Sequence, residues 1–153
     1  MNYLKIFLMS MVPIVELRGA VIYSQYLEMP VIPSLIVCII GNALPVPFIY
    51  LFARKILKWG EDKPLIGPVA RFLMDKGQRA GAKLTEKAGR WGSFIALVLF
   101  VGIPVPGTGA WTGTLAASIL NEGPRHTAFA VLLGLIIAGV IMMFAGVLGF
   151  SIF

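Results

Sequence analysis

The stretch GIPVPGTGAWTGT, residues 102–114, places two prolines, four glycines and no charge inside an otherwise strongly apolar run. Pro104 and Pro106 lack backbone donors, so residues 103–109 are predicted to form a turn instead of a helix. Two glycines that tolerate positive φ support this turn, Gly107 and Gly109. The sequence therefore predicts a discontinuous helix at this point.

The helix is predicted to restart with Thr108 as its N-cap, leaving the amides of residues 109–111 directed into the break. Amides without partners are tolerated at membrane depth only where protein or a water-filled cavity receives them. Because a helix N-terminus favours negative charge, the break is a candidate anion site that Trp111 could line. The alternative is a proline kink that only shapes the packing.

The chain has 153 residues, of which 58% are hydrophobic and 13% charged, with a mean hydropathy of +0.89. Residues 31–53 and 127–153 contain no charge over 23 and 27 residues. Either stretch exceeds the roughly 20 residues that cross a bilayer core of about 30 Å. The composition therefore predicts an all-α integral membrane protein.

The charges are concentrated in one region. Residues 54–93 contain ten Lys and Arg against four acids, whereas the rest of the chain has three of each sign. The positive-inside rule predicts that this region lies in the cytoplasm. We expect the protein itself to lie in the cell membrane. Basicity confined to one loop between membrane segments argues against nucleic-acid binding.

The basic region separates two similar halves, which we define as repeat 1 (residues 1–53) and repeat 2 (residues 94–153) of one membrane domain. Each half has a broken apolar segment, residues 4–27 or 94–120, followed by an uninterrupted one. Paired breaks of this kind are typical of transporters built from inverted repeats, whose site lies where the breaks meet.

The linker, residues 54–93, is predicted to contain an interfacial helix. Its basic residues recur at spacings of three and four, and a stripe of this kind would bind anionic lipid headgroups. They are Lys76, Arg79, Lys83, Lys87 and Arg90. A solvated helix is the alternative. In the last span, small residues at Ala130, Gly134 and Ala138 predict close contact with another helix, either of this chain or of a second copy in a homodimer.

The first break, SMVPIVELRGAVIYSQ, contains Pro13 together with Glu16 and Arg18. Ionisable residues inside a membrane segment each cost about 2.5–3.5 kcal/mol and mark ion or substrate paths. Two residues apart on a regular helix, Glu16 and Arg18 would point away from each other. The alternative is a kinked helix whose charged side chains lie shallow and reach the interface.

If the two breaks approach each other, the second break and Arg18 would hold an anion beside Glu16. Protonation of Glu16 would remove its repulsion of the anion, so proton and substrate would favour each other's binding. The sequence thus predicts a proton-coupled transporter of an anion. No metal, cofactor or enzyme activity is predicted, because the single Cys38 and His126 supply neither metal-ligand spacing nor a nucleophile with its base.

Two topologies are compatible with the sequence. If the broken segments cross the membrane, both termini are cytoplasmic and the loop at residues 121–126 is outside. If the segments are re-entrant, both termini lie outside and that loop is cytoplasmic. Half-helices of about 10–12 residues are short enough to turn back, which favours the re-entrant option.

The motifs PIVELRG (13–19) and PVPGTGAWTG (104–113) resemble those of the putative small multidrug export family, a distant relative of the DedA/VTT-domain membrane proteins. The resemblance covers nearly the whole chain. It implies two re-entrant hairpins, each followed by a transmembrane helix, in an inverted repeat. The matching positions are Pro13, Glu16 and Arg18 in the first hairpin, and Pro104, Pro106, Gly107 and Gly109 in the second.

For DedA-type relatives the resemblance implies proton-dependent movement of lipids, by a transporter or scramblase. Such relatives carry an arginine on the second hairpin, whereas residues 94–120 contain none, so Arg18 is the candidate at depth. The family name itself implies proton-coupled drug export, which is the first alternative. A membrane assembly subunit that transports nothing is the second.

Overall fold

The computed structural model describes the backbone of residues 1–105 and 108–152. Side chains are described for the same residues except 73, 74, 76–78, 80–85, 87, 88, 90 and 150–152. This part of the chain is helical and contains no strand. Its helices are α1 (Asn2–Met11), α2 (Glu16–Tyr26), α3 (Val31–Ala43), α4 (Val46–Glu61), α5 (Gly67–Gly102), α6 (Ala110–Ile119) and α7 (Pro124–Ile152).

Both predicted breaks are present. The backbone leaves the helical region at Val12, with ψ of 130°, one residue before Pro13. It does so again at Ile103, with ψ of 121°, one residue before Pro104. A proline disfavours helical angles in the residue before it, which explains both positions. The predicted turn at residues 103–109 is non-helical wherever it is described, whereas Pro106 and Gly107 lie outside the described residues.

Both uninterrupted segments are helical and long enough to cross a membrane. They are Val31–Glu61, with 31 residues and a mean hydropathy of 2.2, and Pro124–Gly149, with 26 residues and a mean hydropathy of 2.8. The first bends at Leu44 and Pro45, where α3 gives way to α4. Large aliphatic side chains cover the outside of both, for example Ile36 and Leu148. These helices and this surface are those of a membrane protein.

The basic region is more helical than predicted. Helix α4 continues to Glu61, and α5 runs from the basic region to the second break, with a bend at Gly89, where φ is 66° and ψ is −178°. The predicted interfacial helix is thus part of α5. Arg79 pairs with Asp75 at 2.8 Å on its exposed surface, and the side chains of Lys76, Lys83, Lys87 and Arg90 lie outside the described residues.

The small residues of α7 pack closely against other helices of the same chain. A Cβ at Gly134 would lie 2.6 Å from the Cβ of Val101 on α5, and Ala130 and Ala138 are fully buried. Farther along α7, a Cβ at Gly146 would overlap the side-chain amide of Gln25 on α2. Close approach of this kind requires residues without a bulky side chain. The predicted neighbour of the stripe is therefore within this chain.

Helices of the two halves pack against each other. Helix α2 contacts α7, and α6 contacts α4, while α1 lies against α3 and α5 lies against α7. Cys38 is fully buried in the common core. Each half-helix that borders a break is thereby held against a long helix.

Two sets of contacts fix the opposite ends of the bundle. At one end, Arg54 of α4 donates to Asn121, which follows α6. Phe94 of α5 stacks there on His126 with ring centroids 5.2 Å apart. At the other end, Gln25 donates to the Met143 carbonyl oxygen at 3.1 Å. His126, predicted to lie in a loop, is in the first turn of α7, because the helix begins at Pro124, as proline at a first helical position permits.

Candidate functional site where the two helix breaks meet

Glu16 opens α2 and lies at the start of α6. Its side chain is 6% exposed, and its Oε1 accepts a hydrogen bond from the Trp111 amide at 3.3 Å. The amide is one of the unpaired donors in the first turn of α6, and the carboxylate faces the positive end of the helix dipole. A carboxylate of this chain therefore occupies the predicted anion position. The expectation that the amides of residues 109–111 have no partner in the protein is wrong for Trp111.

The backbone at Glu16 is strained, with φ of 49°. The other described non-glycine residues with positive φ, Glu28 and Asn121, each lie two residues after the last residue of a helix, where left-handed angles are ordinary. Glu16 instead begins a helix. Such strain costs on the order of 1–2 kcal/mol and persists where the surrounding contacts impose it. The contact with the Trp111 amide is one that this conformation permits.

Gly109 makes room for the carboxylate. Its φ is 149°, and a Cβ built on it would overlap Glu16 Oε2. Both the backbone angle and the close approach exclude a larger residue. Gly109 is also the N-cap of α6, which leaves no side-chain cap on that helix. The second break thus depends on the side chain of the first break for its cap.

Thr108 was predicted to be this N-cap, and that prediction is wrong. The N-cap lies one residue later, and the Thr108 side chain points to the other end of the break. Its Oγ1 lies 3.0 Å from the Ile103 carbonyl oxygen and 2.8 Å from that of Val105. A hydroxyl has one hydrogen, which it can donate to either of these acceptors, and it can accept from another donor at the same time; Arg18 Nη2 donates to it at 2.8 Å.

Arg18 binds the carbonyl end of α5. Its Nη2 donates to the Ile103 carbonyl oxygen at 3.2 Å, and its Nη1 donates to that of Val105. These oxygens follow the last turn of α5, where a cation is favoured by the negative end of the helix dipole. Among the described residues, no hydrogen bond or ion pair joins Arg18 to Glu16. Glu16 and Arg18 therefore have separate hydrogen-bond partners.

The first break is bridged in the same manner. The Asn42 side chain, with its nitrogen oriented toward Ser10, donates to the Ser10 carbonyl oxygen at 3.0 Å and accepts from the Leu17 amide at 3.1 Å. Trp111 Nε1 donates to the Met11 carbonyl oxygen at 3.1 Å. These bonds satisfy the end of α1 and the start of α2, which would otherwise lack partners.

Sequence analysis missed Asn42. It is 1% exposed on α3 and is the only amide side chain in the uncharged stretch 31–53. A buried side chain of this type requires hydrogen-bond partners, and that requirement was the available signal. Which groups Asn42 would serve could not be read from the sequence, because they lie on two other helices.

The remaining predicted site residues shape the breaks. Pro13 is exposed and Pro104 is half-buried, and neither side chain offers a polar group. The structure brings together Glu16, Arg18, Thr108, Gly109 and Trp111, whereas Pro106 and Gly107 are outside the described residues. The breaks therefore form one polar site in which four helix ends exchange side-chain partners.

A family model described as putative small multi-drug export protein matches residues 16–141, which is most of the chain. The matched region begins at Glu16 and includes both Arg18 and the whole second break. No curated protein and no solved structure matches the chain.

We expect Asn42→Leu to lower stability, because it leaves the Ser10 carbonyl and the Leu17 amide without a partner. An unsatisfied buried group costs about 1–3 kcal/mol. The measurement is the melting temperature of the purified protein in detergent. The control is Ser34→Ala, on the same helix, because Ser34 is buried and its Oγ has no partner in the described structure. Equal melting temperatures for the two variants would contradict the bridging role of Asn42.

Gly109→Ala should be strongly destabilising because the new methyl group occupies the space of the Glu16 carboxylate. The same substitution should cost less in a Glu16→Ala background, where the overlap is absent. Comparing wild type, both single variants and the double variant by thermal melting isolates this coupling. Additive losses would show that Gly109 is needed for its backbone angle alone.

Proposed function

The chain belongs to the family described as putative small multi-drug export proteins, and on that premise we propose that it is a membrane transporter that moves an anionic amphiphile together with a proton carried by Glu16. The observation that supports this most directly is the buried Glu16 carboxylate on the Trp111 amide. Intramembrane acids that join two discontinuous helices are common proton sites in transporters.

The charge at the breaks favours an anionic substrate. Arg18 and Glu16 together carry no net charge when Glu16 is ionised and one positive charge when Glu16 is protonated. Their sum is negative in neither state, so these two residues never supply a net attraction for a cation. Protonation of Glu16 therefore gives the two residues a net positive charge, which attracts an anion.

Protonation also weakens the contact between Glu16 and the start of α6. A neutral carboxyl group interacts more weakly with a backbone amide and with the helix dipole than a carboxylate does. Protonated Glu16 can yield the Trp111 amide to an anion, while Arg18 remains beside the second break. In this scheme the proton and the anion bind together and move in the same direction.

The proposal includes re-entrant hairpins in an inverted repeat. Phe94 precedes the second break and Asn121 follows α6, and both lie at the end of the bundle that holds Arg54. Their partners support a segment that returns to the side it entered. Gln25, beyond the first break, lies at the opposite end, against Met143. The contacts of α1 with α3, of α2 with α7, and their counterparts in repeat 2 support the same symmetry.

With this topology the basic region and the loop after α6 are cytoplasmic, and both termini are outside. In a Cys38→Ala background, a cysteine at Asn2 should react with an impermeant maleimide added to intact cells. Cysteines at Asn121 and, as a reference in the basic region, Asp62 should react only after permeabilisation. Protection at Asn2 together with labelling at Asn121 would mean that the broken segments cross the membrane.

Export of cationic drugs is the second candidate, because the family description names multi-drug export. It requires that deprotonated Glu16 leave the α6 amide and pair with the cation. Uptake and efflux of an anionic lipid analogue and of tetraphenylphosphonium by the same proteoliposomes would separate the two candidates. Transport of neither compound would favour an assembly role.

We expect Glu16→Gln to remove the pH dependence of transport while the protein still inserts and folds. Glutamine is uncharged at every pH, and its side-chain oxygen can still accept from the Trp111 amide. The measurement is flux of a labelled anionic lipid across a series of pH values in proteoliposomes. The matched control is Glu28→Gln, in which an exposed acid just beyond α2 is neutralised. Unchanged pH dependence in Glu16→Gln would reject Glu16 as the proton carrier.

A further inference from the structure

A groove of about 550 Å³ lies between α4 and α6 and adjoins the polar site at Trp111. This volume is within the roughly 300–1,000 Å³ that is usual for small-molecule sites. Its lining is almost entirely apolar and rich in aromatic rings. The principal lining residues are Phe48, Phe52, Lys55, Ile56, Trp111 and Leu115.

The groove extends from the middle of the bundle toward the basic end. Pro45, at the bend before α4, lines its inner part, and Lys55 lines its outer part. Ten residues of helix at about 1.5 Å each separate them, or about 15 Å, which is half of a hydrocarbon core of about 30 Å. The groove therefore has the length of one leaflet.

The two ends of the groove differ in charge. Lys55 is the single charged residue among those that line it in the described structure, and its side chain is exposed. At the inner end, Trp111 lines the groove while its backbone amide holds Glu16. A molecule in the groove would thus have a positive charge at the membrane surface and the proton site beyond its buried end.

We infer that this groove binds one hydrocarbon chain of an anionic amphiphile, with the anionic headgroup at Lys55 and the chain end at Trp111. The apolar lining fits a hydrocarbon chain, the length fits a chain of one leaflet, and the lysine complements an anion. This inference rests on the proposed function and extends it, because it places the substrate at the basic end of the bundle with its chain end beside the Glu16 site.

The test uses Trp111 as the only tryptophan, in a Trp59→Phe/Trp91→Phe protein reconstituted in phosphatidylcholine vesicles. Trp59 and Trp91 are exposed and do not line the groove. The probes are an alkyl sulfate and an alkyltrimethylammonium of equal chain length, each brominated at the chain end. We expect the sulfate to quench Trp111 fluorescence saturably and the ammonium compound to quench it only weakly.

Two variants address the groove itself. Lys55→Gln should weaken apparent binding of the sulfate about fivefold, which is the effect of one basic residue near a membrane surface, and Lys58→Gln, which does not line the groove, should change it less. Ala53→Phe fills the groove and should abolish saturable quenching. Its control is Ala145→Phe, at an exposed position on α7.

Equal quenching by the two probes, or undiminished quenching in Ala53→Phe, would overturn the inference. The proposed function fails separately. If the sulfate binds as expected but wild-type protein moves no anionic lipid in the flux assay, the groove is still a binding site and the proposal of proton-coupled transport is wrong. If pH-dependent flux is normal in Ala53→Phe, transport remains and the groove is not its binding site.

Discussion

The structure depends on the satisfaction of backbone groups at the two breaks between helices. A buried amide or carbonyl that has no partner costs several kcal/mol when water cannot reach it. Side chains from each break satisfy these groups by forming hydrogen bonds with the backbone of the other break. Glu16 binds an amide of α6, Arg18 binds the carbonyls that follow α5, and Trp111 binds a carbonyl of α1. The cost of burying an acid and a base, about 2.5–3.5 kcal/mol each, is of the same order as the backbone cost that they offset.

This exchange explains why Glu16 and Arg18 do not need each other. An isolated acid or base at membrane depth would normally seek an opposite charge. Here each faces the end of a helix whose dipole has the opposite sign, equivalent to roughly half a charge. The acid lies at an N-terminus and the base at a C-terminus, and both ends belong to the second break. If Glu16 and Arg18 lay on the same face of α2, they would compete for the same helix end. Their spacing of two residues lets each bind a different helix end.

The sequence was sufficient to predict the breaks and the spans because both follow from local rules. Proline positions interrupt helices wherever they occur, and long uncharged stretches have one stable form in a bilayer. The contact of the α7 small residues with a helix was also predictable, although Val101 as the partner was not. The N-cap prediction for Thr108 was wrong because the Thr108 side chain contacts Arg18 instead. Arg18 is ninety residues away in the sequence, so this contact could not be predicted from local rules. Asn42 was missed for the same reason, since its partners lie on α1 and α2.

In the proposed transport scheme, the groups that hold the breaks together are also the groups that titrate and bind, and this limits how stable the resting arrangement can be. A site that bound Glu16 with a second charge would hold the halves more tightly, but protonation would then cost the energy of a salt bridge. Holding the carboxylate with a partial charge and an amide at 3.3 Å makes the contact weaker and easier to release. The strain at Glu16, with φ of 49°, acts in the same direction, because release lets the backbone relax. In that scheme, proton binding needs to supply only a small free energy to release the Glu16 side chain from the start of α6.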